Sequence, residues 1–484
     1  MDITIDNLGT FLLAFINIAA SVYAAGHAML TKDDVRAATG WVGLILLVPF
    51  IGWLTYLLFG INRIQRRAQE LRGGRKPDHP ALESGGIARL IPSPATSTRD
   101  LIAIEQLAKL SLQVTPTQFD TDNQFTVLEN GDQAYPEMIA AIDGAQKSLA
   151  LSTYIFNNDK AGLRFLDAFE RAQARGVRIR ILIDGVGAWY SRPSMFRLLQ
   201  AKGLNCERFL HSFLPWEMPY LNMRNHQKIM VADGRIGFTG SMNIAEGNLI
   251  ADRPRRPILD HHFKVEGPVV RQLMEAFAHE WNFTNGEILT GPDWFPDLDP
   301  KGSIIARGIP AGPDLDENPI RWTLLAALSQ ARERIRIVTP YFLPDITMRT
   351  GLLLAAMRGV AVDIMMPEHN NLAFVKWAST PQLAELIAAG CRVWMSPGPF
   401  AHTKLMTVDG IWSTLGSANW DPRSLRLNFE FNMECYGADL TLDLDRLIDA
   451  RLAASRAVAS ADIASRSLPI RLRDSAAWLF SPYL

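Results

Sequence analysis

The stretch Arg224-Asn-His226-Gln-Lys228-Ile-Met-Val-Ala-Asp233-Gly-Arg-Ile-Gly-Phe-Thr-Gly240-Ser241-Met-Asn243 decides how this chain is read, because the chain contains its pattern twice. The second copy is His402-Thr-Lys404-Leu-Met-Thr-Val-Asp409-Gly-Ile-Trp-Ser-Thr-Leu-Gly416-Ser417-Ala-Asn419. The spacing of His, Lys, Asp and Gly-Ser-x-Asn is the same in both. A lone His-x-Lys carries no information; two complete copies at one spacing do.

Each copy predicts its own local geometry. The apolar run after each lysine reads as a buried strand, on which His and Lys two apart face one side. Asp233-Gly234 and Asp409-Gly410 are hairpin turn signals, and the short strands that follow lead back to Gly-Ser-x-Asn. The turn therefore returns each Asn toward its His and Lys. Asp233 and Asp409 belong to the motif and count among the catalytic candidates, but this geometry places them at the far end of the hairpin, in a mainly structural role.

The residue types suit an attack on a phosphodiester. Such an anion repels nucleophiles, so a site must neutralise it, supply an attacker and deliver a proton. Lys228, Lys404, Asn243 and Asn419 are donors for the phosphoryl oxygens, Ser241 and Ser417 can add hydroxyls, and Gly240 and Gly416 allow close backbone approach. Of the two histidines, His226 and His402, one must be neutral to attack phosphorus and the other protonated to release the leaving alcohol. The cationic side chains do what a metal ion would otherwise do, so no metal and no cofactor is expected. The other seven of the nine histidines, and the three scattered cysteines, lack metal-ligand spacing.

The halves echo each other beyond the motifs. Ala145-Gln-Lys-Ser-Leu-Ala-Leu-Ser-Thr-Tyr154-Ile-Phe parallels Ala331-Arg-Glu-Arg-Ile-Arg-Ile-Val-Thr-Pro-Tyr341-Phe, and Arg175-Gly-Val-Arg-Ile-Arg-Ile parallels Arg358-Gly-Val-Ala-Val-Asp-Ile. The near-constant offset, about 180 residues, means two homologous halves rather than a short-period solenoid. Each half reads as an α/β sandwich. One histidine per half, with two needed, predicts a pseudo-two-fold pair sharing one active site.

The paired His-Lys-Asp motifs resemble those of the phospholipase D superfamily. From about residue 120 onward the chain is similar to the bacterial cardiolipin synthases of that superfamily. The resemblance rests on Tyr154-Ile-Phe-x-x-Asp159, Arg224-Asn-His226-x-Lys228, Glu266-Gly-Pro-x-Val, Thr339-Pro-Tyr-Phe-x-Pro-Asp345 and Asn419-x-Asp421-x-Arg423-Ser424-x-x-x-Asn428-Phe-Glu430. It implies a covalent phosphohistidine and transfer of a phosphatidyl group between two phosphatidylglycerols, giving cardiolipin and glycerol. It also implies an acidic residue some thirty positions beyond each histidine that orients it: Asp260 after His226, and Glu430 after His402. The first motif departs from the family where it ends Asn243-Ile-Ala-Glu-Gly247, which bears on the acceptor alcohol. Water, or another headgroup alcohol, would attack the same intermediate, so the motifs alone do not separate a synthase from a phospholipase D. A membrane-tethered nuclease is the distant alternative. A net charge of −1 argues against a strongly basic nucleic-acid surface.

The first 65 residues read as two membrane spans, Leu8–Met29 and Gly40–Gly60, the second with Pro49 as a possible kink. Arg63, Arg66, Arg67, Arg72, Arg75 and Lys76 follow. By the positive-inside rule they place the catalytic region in the cytoplasm, on a bacterial inner membrane, where the cluster can also gather anionic lipids. Residues 66–119 read as a linker and lead-in helix, 120–290 as the first half and 291–484 as the second. The apolar stretch Phe209–Met223 and the tail Ala476-Ala-Trp-Leu-Phe-Ser-Pro-Tyr-Leu484 are candidates for dipping into the lipid interface. The sequence carries no signature of oligomeric state.

Overall fold

The computed structural model describes residues 5–32, 35–60, 98–115, 117–210, 223–313 and 318–481. The chain divides into two compact units, Met1–Arg67 and Ala68–Leu484.

In the first unit, one helix runs from Ile5 to Thr31. Its segment Gly9–Thr31, 23 residues with mean hydropathy 1.6, is long and apolar enough to cross a bilayer. The second expected span is not one helix. Val35–Leu47 stops short of Pro49, the chain restarts as Ile51–Thr55, and it ends in a π-helical turn, Tyr56–Gly60. Pro49 has no N–H to donate and its ring crowds the preceding turn; Phe50 takes φ +64°. Asn17 relieves the break, its side-chain oxygen accepting the Phe50 N–H and the Trp53 indole N–H, both at 3.0 Å. The segments pack through Ala24, Ala25 and Ala28 against Ile45 and Tyr56. The basic cluster from Arg63 to Lys76 and most of the linker lie outside the described residues, as do residues 211–222 of the apolar stretch and the last three of the tail.

The second unit is built on a 15-stranded sheet, with a separate two-stranded one beside it. In the first half the strands are β1 (Asp120–Glu129), β2 (Ser148–Thr153), β3 (Arg178–Asp184), β4 (Cys206–Phe209), β5 (Ile229–Ala232), β6 (Ile236–Gly240), β7 (Ile258–Leu259) and β8 (His261–Glu266). In the second they are β9 (Ile304–Ala311), β10 (Arg334–Val338), β11 (Ala361–Pro367), β12 (Arg392–Ser396), β13 (Phe400–Ala401), β14 (Leu405–Val408), β15 (Trp412–Gly416), β16 (Glu430–Tyr436) and β17 (Arg456–Ala457). The first half runs β4-β3-β2-β5-β6-β8-β1, and the second repeats the order outward from β9 as β9-β16-β15-β14-β10-β11-β12, with β17 added at the edge. β1 pairs antiparallel with β9, so the duplicated halves join edge to edge.

Helices cover both faces of each half, the sandwich expected of strands that are apolar on both sides. Asn130–Gly144 and Lys160–Ala174 pack on one face of the first half, and Val270–Asn285 on the other. The paired sequence echoes are structural equivalents. The Arg175 guanidinium donates to the carbonyls of Ile142 and Ala145, and that of Arg358 to Leu328 and Ala331. The helix Thr98–Val114 is no spacer: Ile104, Leu107 and Ala108 lie in the core of the second half.

Both motif hairpins form, as β5–β6 and β14–β15. Asp233-Gly234 and Asp409-Gly410 all take positive φ, the backbone a two-residue hairpin turn demands.

Candidate active site

The extended segments just before β5 and β14 carry His226, Lys228 and Lys404, all buried, and His402, partly buried. Each histidine is held by the other half. The His226 N–H donates to the Phe429 carbonyl at 2.8 Å, and the His402 N–H to the Leu259 carbonyl at 2.7 Å. The chain before each histidine thus runs parallel to the chain before the other half's carboxylate, through the Asn225–Phe429 bridge and the β7–β13 pair.

The side chains follow the backbone. His226 Nδ1 meets the Glu430 carboxylate at 2.9 and 3.0 Å, and His402 Nδ1 meets Asp260 at 2.9 Å. The orienting carboxylates are the two residues the sequence singles out, but the pairing is crossed. Glu430 holds the histidine of the first motif and Asp260 that of the second. The acid that follows a histidine in sequence lies across the pseudo-two-fold axis from it, which one half read alone cannot show.

The serines and aspartates of the motifs make contacts of their own. Ser241 donates its hydroxyl to Asp260, and Ser417 donates to Glu430 at 2.5 Å. These hydroxyls bond to the carboxylates that hold the histidines. Asp233 and Asp409 make backbone contacts at the hairpin tips, the structural place their position in the motif predicts. Asp233 accepts the backbone N–H groups of Gln146, Lys147 and Ser148, and Asp409 those of Arg332, Glu333 and Arg334. Each ties the hairpin tip to the start of the neighbouring strand, seven residues and about 20 Å along an extended chain from its histidine.

The asparagines stay with the site. Asn243 accepts the Ile155 N–H through its side-chain oxygen at 3.1 Å. Asn419 donates to the Ser424 hydroxyl at 3.1 Å, and its buried side-chain oxygen has no partner among the described residues. Rotating that amide would let it accept from Ser424 and turn two N–H donors toward the unfilled position, as an anion would favour.

Both lysine ammoniums donate to the carbonyl of their own histidine at 2.6 Å. Lys404 also contacts His402 Nε2 at 2.9 Å. His226 Nε2 has no such partner among the described residues, and so keeps a free lone pair when Nδ1–H faces Glu430.

Burial dominates the titrations. It pushes His226 down to about 4, Glu430 opposing and Lys228 adding to the fall. It pushes His402 down to about 4, with Lys404 adding and Asp260 opposing. Burial likewise lowers Lys228 to about 7 and Lys404 to about 8 against the pull of nearby carboxylates. Asp260 and Glu430 go the other way. Burial alone would raise them, but hydrogen bonds from the imidazoles and the nearby ammoniums hold both below the usual carboxylate range. The resting pairs are therefore neutral imidazoles donating to ionised carboxylates.

Other neighbours complete the surroundings of the histidines. The Tyr154 ring stands edge-on to His226 at 5.3 Å, with the Lys228 ammonium 5.5 Å from its centre. Asp184, at the end of β3, accepts the N–H groups of Asn225, Val186 and Gly187 and so shapes the turn into His226. A carboxylate closing an apolar strand was its visible signal. His261 and His262 are buried beside Asp260, and His261 Nδ1 meets the Thr403 hydroxyl at 2.9 Å.

Two α/β halves in one sheet, each giving a His-Lys pair to a site closed by the other half's carboxylate, define a duplicated phospholipase D-type protein. The solved phosphatidylserine synthase of Haemophilus influenzae Rd KW20 has a similar fold, with a TM-score of 0.60 at 14% identity over 78% of this chain and 100% of that one. The chain belongs to the family described as cardiolipin synthase, PLD-like domain, whose model matches residues 138–281 and 324–452, more than half of the chain. The family described as phospholipase D-nuclease N-terminal matches residues 15–60. Among relatives, cardiolipin synthase 2 of Staphylococcus epidermidis is 29% identical over 469 residues, 96% of each chain. The major cardiolipin synthase ClsA of Bacillus subtilis is 29% identical over 464 residues, 94% of this chain and 95% of that one.

Proposed function

We propose that this protein joins two phosphatidylglycerol molecules into cardiolipin and glycerol through a phosphohistidine on His226. The free lone pair of His226 Nε2, set against the Lys404-engaged Nε2 of His402, carries the assignment of roles. A phosphodiester brings a negative charge between the imidazoles and raises their proton affinity. His226 Nε2 bonds to phosphorus, the bond to the departing glycerol breaks, and His402 gives that glycerol its proton. The hydroxyl of a second phosphatidylglycerol then passes its proton to His402, its oxygen bonds to phosphorus, and His226 leaves. Glu430 and Asp260 stabilise each imidazolium as it forms. Lys228, Lys404, Asn243 and Asn419 hold the phosphoryl oxygens.

The names of the relatives support cardiolipin as the product. The apolar N-terminal helix supports a membrane setting. We place the protein in a bacterial inner membrane, crossing it more than once, with the catalytic region cytoplasmic on the strength of the Arg63–Lys76 charges. Its working divisions are a membrane unit up to about residue 65 and two catalytic halves that part near residue 290.

Purified full-length protein given phosphatidylglycerol alone tests the reading, with products followed by lipid mass spectrometry. Cardiolipin with glycerol in equal amount is expected. Phosphatidic acid as the main product, even at high lipid density, would make the enzyme a phospholipase D instead.

A further inference from the structure

The helix Leu468–Trp478 is built inside out. A helix on a globular surface turns its apolar stripe inward and its charges to water. Here Asp474 points inward and is 2% exposed, taking ion pairs from Arg466 and Arg473. The Arg473 guanidinium also lies 4.3 Å from the centre of the Trp377 ring. The outward stripe is apolar: Leu468 is 65% exposed, Leu472 61% and Leu479 71%. Those positions, four and then seven residues apart, lie along one face. Trp478 and Phe480 flank them, also exposed.

This face leads to the catalytic centre. Phe480 packs on Phe374 at 5.9 Å between ring centres. Leu372 and Phe374 are exposed in their turn. The neighbouring Asn371 accepts the Tyr341 hydroxyl at 2.7 Å, and Tyr341 packs on Phe400 at 6.1 Å, which packs on His402 at 5.8 Å. A chain of contacts, aromatic but for the Asn371–Tyr341 hydrogen bond, therefore runs from the outer face of the last helix to His402.

We propose that the helix Leu468–Trp478 and the adjoining Leu372–Phe374 corner form an interfacial docking surface for a phospholipid bilayer, a membrane contact separate from the N-terminal helix. The proposal rests on the lipid reading above. A diacyl lipid must bring its phosphate to His402 while its chains stay in an apolar phase, and a surface continuous with His402 allows both. Trp478 suits the bilayer interface, with an apolar ring and a polar N–H. Arg471, on the same helix, suits anionic headgroups.

The three cysteines Cys206, Cys391 and Cys435 are buried, so one added surface cysteine takes a label selectively. Full-length Leu472→Cys and a control, Lys202→Cys, each carry an environment-sensitive fluorophore in phosphatidylglycerol nanodiscs. The label at 472 is expected to shift to the blue and to be quenched by a quencher attached to lipid acyl chains, while the label at 202 does neither. A 472 label as wet as the control overturns the proposal. So does a dry label that lipid cannot quench, which would mean that protein, from this chain or a second copy, covers the face.

Kinetics give a second readout. Leu472→Glu with Leu479→Glu should raise KM for bilayer phosphatidylglycerol roughly five- to ten-fold and leave turnover of monomeric short-chain lipid unchanged. Equal effects on both lipids count against docking. If the label is lipid-quenched but wild-type protein makes no cardiolipin, the assigned reaction fails and the surface stands.

Discussion

At the scale of single residues, the site depends on which carboxylate holds which histidine. Glu430→Gln keeps an acceptor for His226 Nδ1 but removes the charge that favours its imidazolium. NMR titration should show the His226 pKa falling further in Glu430→Gln and staying in place in Asp260→Asn, with His402 responding the opposite way. An uncrossed response would contradict the geometry. Loss of the charge should cost turnover on the order of 10²- to 10⁴-fold in either variant. The lysines set a second expectation. Burial holds Lys228 near 7 and Lys404 near 8, so each is charged below its pKa and loses its charge as the pH rises through it. kcat/KM should therefore fall more steeply across roughly pH 7–8, beyond the fall that His402, neutral at rest and needing a proton to act, imposes above its own pKa, and it should fall on the acid side as His226 protonates. A steepening that begins only near pH 10 would mean that the ammoniums are not buried as described.

At the scale of elements, the aspartates of the two motifs are hairpin clamps. Asp409→Ala removes the acceptor for three backbone N–H groups and puts alanine at φ +51°. The expected loss of stability is about 1–3 kcal/mol, read as a lower denaturation midpoint, with activity per folded molecule nearly unchanged. An inactive but fully stable variant would return Asp409 to the chemistry. The same hairpins explain Gly416. Its φ is +156°, and a Cβ there would lie 2.4 Å from the Phe431 carbonyl, so any side chain would force β15 away from β16 and disturb Glu430 at that strand's start.

At the scale of the whole molecule, both histidines sit on segments that lead into strands of one continuous sheet within one chain, its halves joined where β1 meets β9. His226→Ala and His402→Ala should each abolish transfer without unfolding the protein. Mixing the two purified variants should restore nothing. Recovered activity in the mixture, followed by cardiolipin formation, would show a site assembled between chains.

Asp260 and Glu430 came from the resemblance to the superfamily, while the sequence alone determined the duplication, the two His-Lys pairs and the hairpins of both motifs. Those are local facts: an exact spacing, a Gly-containing turn, an apolar run. It also marked Pro49, but the break that Pro49 makes in the second apolar run depends on how Asn17 and the facing alanines receive it. Only the tertiary structure decided that Asp260 serves His402 and Glu430 serves His226, because a pseudo-two-fold axis relates the halves and the sequence order does not cross it. Only there do Ser241 and Ser417 become supports for carboxylates, since a hydroxyl bonds to whatever packing brings within reach. The inverted helix Leu468–Trp478 belongs with these. Its leucines read equally well as core, and the buried place taken by Asp474 is what turns them outward.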